Sequence, residues 1–254
     1  MITRILLHGC NGRMGKVISQ ALDKNDSCMV VGGVDINTKS DFDYPVFATP
    51  GECNIDFDVI IDFSTMKALP AIIDLARAKK KAIVIATTGL SEEYKHMYNA
   101  LSLEVPVFVS ANMSLGINIL ISLAQKATAI LSDNFDIEII EAHHNMKIDA
   151  PSGTALMIAD SINETVDGRY NYEFDRHANH EARTKNEIGI HAIRGGTIVG
   201  DHTVLFAGSE EVLEITHRAQ SRNVFAQGAI AAAKFIAFKG PGLYSMKDLI
   251  DSKE

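Results

Sequence analysis

The chain has 254 residues, 46% hydrophobic and 22% charged, with a formal net charge of -8, a length that fits one large domain or two modest ones. The acidic balance, with no long basic run, argues against nucleic acid or an anionic membrane as partner, although a few local cations can still reverse the field inside one cleft. No apolar run approaches the roughly 20 residues of a membrane span, the N-terminus lacks a secretory pattern, and Cys10, Cys28 and Cys53 form neither a C-x-x-C pair nor a disulfide framework, so a soluble cytoplasmic protein with reduced thiols is expected.

The first half alternates short β-branched runs with helical patterns, the signature of a parallel sheet covered by helices. Strands are expected at Arg4 to His8, Met29 to Val34, Val59 to Phe63, Ala82 to Thr87 and Val105 to Val109. Between the first two, Met14, Val17, Ile18, Ala21 and Leu22 recur at helical spacing and predict one apolar stripe. A second helix is expected from about Lys67 to Lys79, with Pro70 near its start, and a third from about Ser91, with Glu92 and Glu93 in its first turn. Right-handed crossovers then give a doubly wound, Rossmann-type sheet.

After Asn112 the pattern changes to a long apolar helix, about Leu115 to Leu131, and then to strands with few helices between them. Asp136 to His143, Glu187 to Ile193, Thr203 to Phe206 and Val212 to His217 alternate partially, as in a sheet with one buried face. This predicts a second, α+β domain. A final apolar helix, about Val224 to Lys239, should stop at Gly240-Pro241-Gly242.

Two segments carry chemistry. Gly9 to Gly15 reads GCNGRMG, directly after the first strand and before the amphipathic helix. Glycines there let the backbone turn and approach a pyrophosphate, and helix N-terminal N–H groups favour its charge. The spacing is G-x-x-G-x-x-G, weak alone, and the strand-to-helix context strengthens it. Asp35 closes the second strand, where an acid accepts hydrogen bonds from ribose hydroxyls, and Arg13 could contact phosphate. The bland alternatives are an ordinary strand-to-helix turn and a solvated strand end.

Glu141 to Ala155 reads EAHHNMKIDAPSGTA, a dense run of acid-base groups followed by a helix start. Free N–H groups at that start, with the Thr154 hydroxyl, can bind a carboxylate, while histidine and lysine supply charge and protons. A metal or surface cluster remains compatible with His143, His144 and Lys147, although zinc wants more ligands at suitable spacing. His8, His96, His191, His202 and His217 are read as structural, and the His177 to Glu181 segment as a solvated loop.

At these two segments the sequence resembles the dihydrodipicolinate reductase family. Similar blocks are ATTG at Ala86 to Gly89, SANMSLG at Ser110 to Gly116, IRGGTIVGDHTVLF at Ile193 to Phe206 and ITHRAQSRNVFAQGA at Ile215 to Ala229. The resemblance implies reduction of 4-hydroxy-tetrahydrodipicolinate, or of its dehydrated form dihydrodipicolinate, to tetrahydrodipicolinate in lysine and diaminopimelate biosynthesis, with NADH or NADPH as hydride donor and no metal. It implies that His143 and Lys147 are catalytic, the lysine as proton donor, and that His144, Gly153 and Thr154 hold substrate. The cofactor is expected on Gly9, Cys10, Asn11, Gly12, Arg13, Met14, Gly15 and Asp35, on Ala86, Thr87 and Thr88, and on Ser110, Ala111, Asn112 and Met113.

The family fold implies a dinucleotide-binding domain over residues 1–112, completed by 224–254. Residues 113–223 form a substrate-binding domain whose open mixed sheet assembles into a homotetramer. Two departures matter: Ala86 stands where relatives often have glycine, and Ile36 follows the acid where many have an arginine for the extra phosphate of NADPH, which leaves a lean to NADH. An oxidoreductase on another small carboxylate, or a nicotinamide-binding sensor without turnover, would share the fold. The signature segment argues against the first, and the second has no need of His143 and Lys147 together.

Overall fold

A computed structural model of the chain describes residues 2–23 and 25–253. In chain order the elements are β1 (Thr3–His8), α1 (Arg13–Leu22), β2 (Cys28–Val34), β3 (Val46–Phe47), β4 (Val59–Asp62), α2 (Leu69–Lys79), β5 (Ala82–Ile85), α3 (Glu92–Ser102), β6 (Pro106–Val109), α4 (Leu115–Leu131), β7 (Asp136–His143), α5 (Gly153–Glu164), β8 (Asn171–Glu173), α6 (Arg176–Asn179), β9 (Glu187–Arg194), β10 (Gly200–Ala207), β11 (Val212–Ala219), α7 (Asn223–Ile236), β12 (Gly242–Tyr244) and α8 (Met246–Asp251). Two compact units result, one from Met1–Leu115 with Arg222–Glu254 and one from Gly116–Ser221.

The first unit is a seven-stranded sheet in the order β12-β6-β5-β4-β1-β2-β3, with every pairing parallel. Side chains alternate across it. Ile5, Leu7, Val59, Ile61, Val84 and Phe108 pack with Ile18 and Leu22 of α1, Ala229, Ala233 and Ile236 of α7, and Leu249 of α8. Leu6, Ile60, Ile83, Ile85 and Val107 pack with Ile72 and Ile73 of α2 and Leu101 of α3. Burial on both faces is why these strands are apolar without interruption, and each such side chain contributes about 1.5–3 kcal/mol on burial.

Two helix boundaries differ from expectation. The turn at Met66–Ala68 is a 3-10 helix, and α2 begins at Leu69 with Pro70 in its first positions, because proline has no N–H to give and suits a helix start. At the other end α7 stops at Ile236, and the chain beyond the expected Gly-Pro-Gly stop returns as β12, pairing Gly242 with Pro106 and Tyr244 with Phe108.

The second unit is a five-stranded mixed sheet in the order β11-β10-β7-β9-β8. β10 runs antiparallel to β7 and β11, while β9 runs parallel to β7 and β8. One face is the core: Ile137, Ile139, Ile188, Ile190, Val204 and Phe206 pack with Leu120 and Ala124 of α4 and Ala155, Ile158, Ala159 and Ile162 of α5. Alternate residues, among them Ile140 and Ile193, are exposed on the opposite face. The segment expected as a solvated loop contains α6, capped by Asp175, whose side chain accepts from His177 N–H and Ala178 N–H. Among the described residues no helix is long and apolar enough to cross a membrane.

Candidate active site

In the first unit the expected cofactor residues collect beyond the C-terminal ends of β1, β2, β5 and β6. The order of strands reverses between β1 and β4, and the crevice at such a reversal is where doubly wound sheets bind ligands. Gly9 leaves β1 at φ +77°, and a Cβ there would stand 2.7 Å from the Phe63 carbonyl oxygen; one on Gly15 would stand 2.3 Å from the Gly9 carbonyl oxygen. Only glycine fits both positions. α1 starts at Arg13 without a side-chain cap on Gly12, so its first N–H groups remain available to an anion.

Asp35 lies just beyond the end of β2. Its Oδ2 accepts the Asn11 N–H at 3.0 Å and its Oδ1 accepts the Asn37 N–H at 3.1 Å. A carboxylate has about four lone-pair sites, so both oxygens keep acceptor capacity. The Asn11 side chain bridges to the carbonyls of Lys39, at 2.9 Å, and Asn37, tying the glycine loop to the turn that follows the acid. Cys10, Ala86 and Met113 bury their side chains in the core, so they offer only backbone to this edge. Arg13, Thr88 and Ala111 are exposed, and Met14, Ser110, Asn112 and Thr87 are half-buried or buried.

Beneath that edge lies a polar cluster absent from the expected site. Asp62 is fully buried at the end of β4. Its Oδ1 pairs with His8 Nδ1 at 2.8 Å and accepts the Ser64 hydroxyl at 2.6 Å, and its Oδ2 accepts the Thr87 hydroxyl at 2.7 Å. One carboxyl group thus fastens the ends of β1, β4 and β5.

In the second unit His143 ends β7, and alternation puts it on the same face as Glu141. The Glu141 carboxylate has no exposed surface. It receives His143 Nδ1 at 2.6 Å, the Ser152 N–H at 2.9 Å, and both terminal nitrogens of Arg194 at 2.8 and 2.7 Å. Burial pushes the Glu141 carboxyl up, but the Arg194, His143 and Ser152 donors outweigh it and hold the group below the usual glutamate value.

The turn after His143 is pinned to the β9–β10 loop by His144 N–H to the Ile198 carbonyl at 2.8 Å and Gly195 N–H to the His143 carbonyl at 2.9 Å. Lys147 Nζ lies 2.8 Å from Asp149 Oδ1, and the ammonium holds the Asp149 carboxyl down. α5 follows, its N-cap Ser152 accepting the Ala155 N–H at 3.1 Å. Gly153 is exposed with open space beside its Cα, and Thr154 is half-buried.

His202 of β10 lies against His143, ring centroids 5.3 Å apart and nearly perpendicular, with its Nε2 3.2 Å from the Ser152 hydroxyl. Burial, with His143 close by, pushes the His202 imidazole down to about 3, so it is neutral near pH 7. The second unit therefore gathers His143, His144, Lys147, Gly153 and Thr154 on one strand-to-helix connection, and adds Glu141, Arg194 and His202 beneath them. Glu141 was within reach of sequence reasoning through its two-residue spacing from His143; Arg194 and His202 stand in the family-like block Ile193 to Phe206, but nothing local ties them to His143, and alone His202 reads as structural.

Two family models match the chain: dihydrodipicolinate reductase, N-terminus, over residues 3–113, and dihydrodipicolinate reductase, C-terminus, over residues 116–250. A protein of Caldanaerobacter subterraneus subsp. tengcongensis, described as a 4-hydroxy-tetrahydrodipicolinate reductase, is 53% identical over 250 residues, spanning 98% of this chain and 99% of its relative. The dipicolinate-bound dihydrodipicolinate reductase from Paenisporosarcina sp. TG-14 is similar with a TM-score of 0.82 over 96% of this chain and 98% of that one; at 24% identity this is a likeness of fold. The scyllo-inositol dehydrogenase from Lactobacillus casei, solved with bound NAD(H) and scyllo-inositol, is similar in fold with a TM-score of 0.61 at 12% identity, over 100% of this chain and 90% of that one.

Proposed function

The chain belongs to the dihydrodipicolinate reductase family, which makes it an oxidoreductase that reduces 4-hydroxy-tetrahydrodipicolinate in lysine and diaminopimelate biosynthesis, and on that premise we propose that His143 and Lys147 handle the proton of the reduction. The observation that carries the assignment is the β7–α5 connection. It presents an imidazole held at Nδ1, an ammonium paired with Asp149, and the start of helix α5 within one short segment.

NADH or NADPH, when bound, supplies a hydride to the conjugated ring. That ring forms when the 4-hydroxyl leaves as water; the electron pair displaced by the hydride moves toward the ring nitrogen, and one proton delivered to the resulting enamine, ending on the carbon beside the imine carbon, restores the C=N bond of the tetrahydro product. Lys147 donates that proton, its ammonium resting 2.8 Å from the Asp149 carboxylate. His143, with Nδ1 committed to Glu141, offers Nε2 to proton transfer. His144, Gly153 and Thr154 receive the substrate carboxylates through imidazole, N–H and hydroxyl donors.

The first unit suits a dinucleotide. Gly9, Cys10, Asn11, Gly12, Arg13, Met14 and Gly15 would cradle the pyrophosphate, Asp35 the adenosine ribose, and Ala86 to Thr88 with Ser110 to Met113 the remainder. The close approach at Gly9 and Gly15 and the spare lone pairs of Asp35 support this placement. Asp35 disfavours the extra phosphate of NADPH, and Ile36, 97% exposed, brings no cation to offset it. NADH therefore serves at least as well as NADPH. The exposed Ile140 and Ile193 on the open sheet face suit assembly into a homotetramer, and the enzyme works in the cytoplasm.

The direct test supplies purified protein with substrate freshly made by the upstream synthase and follows the loss of reduced nicotinamide absorbance. No substrate-dependent oxidation with either cofactor overturns the reading.

A further inference from the structure

We propose that Glu141 and Arg194 form the positioning pair of this reaction: Glu141 fixes the His143 imidazole with Nε2 free to exchange the proton, and Arg194 ties the segment carrying Lys147 to the same carboxylate. This rests on the roles given above to His143 and Lys147.

The first ground is saturation. A buried carboxylate is costly unless its lone pairs are filled, and Glu141 has four donors for about four lone-pair sites. Each donor leads to a different part of the site. One is the His143 ring. One is the Ser152 N–H, the residue immediately before Gly153 and Thr154. The other two belong to Arg194, whose Nη2 continues to the Asp149 carbonyl oxygen at 2.6 Å, two residues beyond Lys147. A single ion pair, its carboxylate buried and its guanidinium half-buried, therefore sets the ring, the lysine segment and the helix start relative to one another.

The second ground is the direction of the imidazole. An ionised acceptor at Nδ1 keeps the hydrogen on that nitrogen in both charge states, so Nε2 alone gains and loses a proton. Space has been left beside that atom: a Cβ built on Gly200 would stand 3.0 Å from His143 Nε2. The charges around the ring are accounted for. Glu141 holds it from its own strand and is itself held by Arg194 of β9, His202 of β10 lies against it with His217 of β11 paired across from His202, and Lys147 pairs with Asp149 in the following turn. His202 is neutral, so it does not oppose the charged form of its neighbour.

The third ground is cost. Replacing a buried ion pair with apolar groups of similar size is commonly neutral or stabilising. Stability alone therefore gives no reason for this pair, whereas the bidentate fork of arginine confers the angular precision that a proton-transfer site requires.

The test is Glu141→Gln, which keeps shape but presents an amide to four donors, with Arg194→Lys as the second variant, which keeps charge but loses the fork. Long-range proton–nitrogen spectra of histidine-labelled protein report the tautomer of His143. The expected result for Glu141→Gln is a shift toward the Nε2–H tautomer and a kcat loss of about 100-fold or more, against about 10,000-fold when a serine hydrolase loses the tautomer control of its orienting carboxylate. The KM for NADH should stay within about twofold. Arg194→Lys should keep the tautomer and lose about tenfold in kcat, and it carries the test should Glu141→Gln not fold. Either an unchanged tautomer in Glu141→Gln, or wild-type kcat in both folded variants while His143→Ala is inactive, overturns the pair and leaves the catalytic reading standing. Full turnover by His143→Ala removes the catalytic reading itself.

Discussion

Each unit buries one histidine beside one carboxyl group, and the two pairs differ in what surrounds them. His8 and Asp62 meet at 2.8 Å, and His143 and Glu141 at 2.6 Å. Asp62 is completed by the hydroxyls of Ser64 and Thr87, neutral donors that fasten three strand ends. Glu141 is completed by a guanidinium, so its pair sits inside a network of charge. Similar two-residue geometry thus serves a staple in one place and an electrostatically set site in the other, and the third and fourth partners make the difference.

The largest effect should separate the pairs by function. Lys147→Ala and His143→Ala are expected to lose about 100-fold to 10,000-fold in kcat, with NADH affinity close to wild type; thermal unfolding should stay close to wild type in Lys147→Ala and fall in His143→Ala, which takes one donor from the buried Glu141 carboxylate. A double variant with near wild-type turnover would break the comparison at once. Next, Asp62→Ala should cost about 3 kcal/mol in stability, because it strands the buried His8 ring and Thr87 hydroxyl and takes an acceptor from the half-buried Ser64. Urea unfolding measures it, and kcat below the melting transition should remain within a few fold. If turnover falls while the unfolding midpoint holds, the staple has been misassigned.

A smaller effect isolates His202, the one buried histidine without a carboxyl partner among the described residues. His202 resists protonation when folded, down to about 3, and accepts a proton near 6.5 when unfolded. The unfolded state therefore binds more protons between these values, and stability falls as pH drops from 6.5 toward 3, by at most about 1.4 kcal/mol per pH unit. His202→Asn should flatten that slope in urea titrations at pH 7, 6 and 5, and an unchanged slope would assign the acid sensitivity elsewhere. Smallest is the cofactor choice, which touches neither pair. Ile36→Arg should move the ratio of kcat/KM for NADPH over NADH upward by roughly tenfold, reduced by added salt. A strong NADPH preference in the unmutated protein, lost on Lys39→Ala, would show that Lys39 already serves the phosphate.

Where the sequence was legible, a period was long enough to read. α4 and β7 lie at Leu115–Leu131 and Asp136–His143, as expected, because seventeen apolar-rich residues and eight alternating ones each carry several repeats. β3, β8 and β12, of two or three residues, show no period and were invisible; β12 also hides behind a glycine-proline stop. The site behaves likewise. The segment holding His143 and Lys147 is contiguous, whereas Arg194 reaches Glu141 from 53 residues away. Only the register of β9 against β7 aligns them, and no local pattern encodes that register.

The return of the chain to its first sheet has a consequence for synthesis on the ribosome. α7 places Ala226, Ala229, Ala233 and Ile236 in the core beside β1, β4 and β5, and β12 completes the sheet edge at β6. The second unit, Gly116–Ser221, lies wholly between the two stretches that make the first. It is translated in full before the first unit has all its parts, so the order of emergence and the order of completion are inverted. Until Arg222–Glu254 leaves the exit tunnel, one face of a hydrophobic parallel sheet has no α7 to cover it, and that interval is when the nascent chain depends most on chaperones to stay out of aggregates.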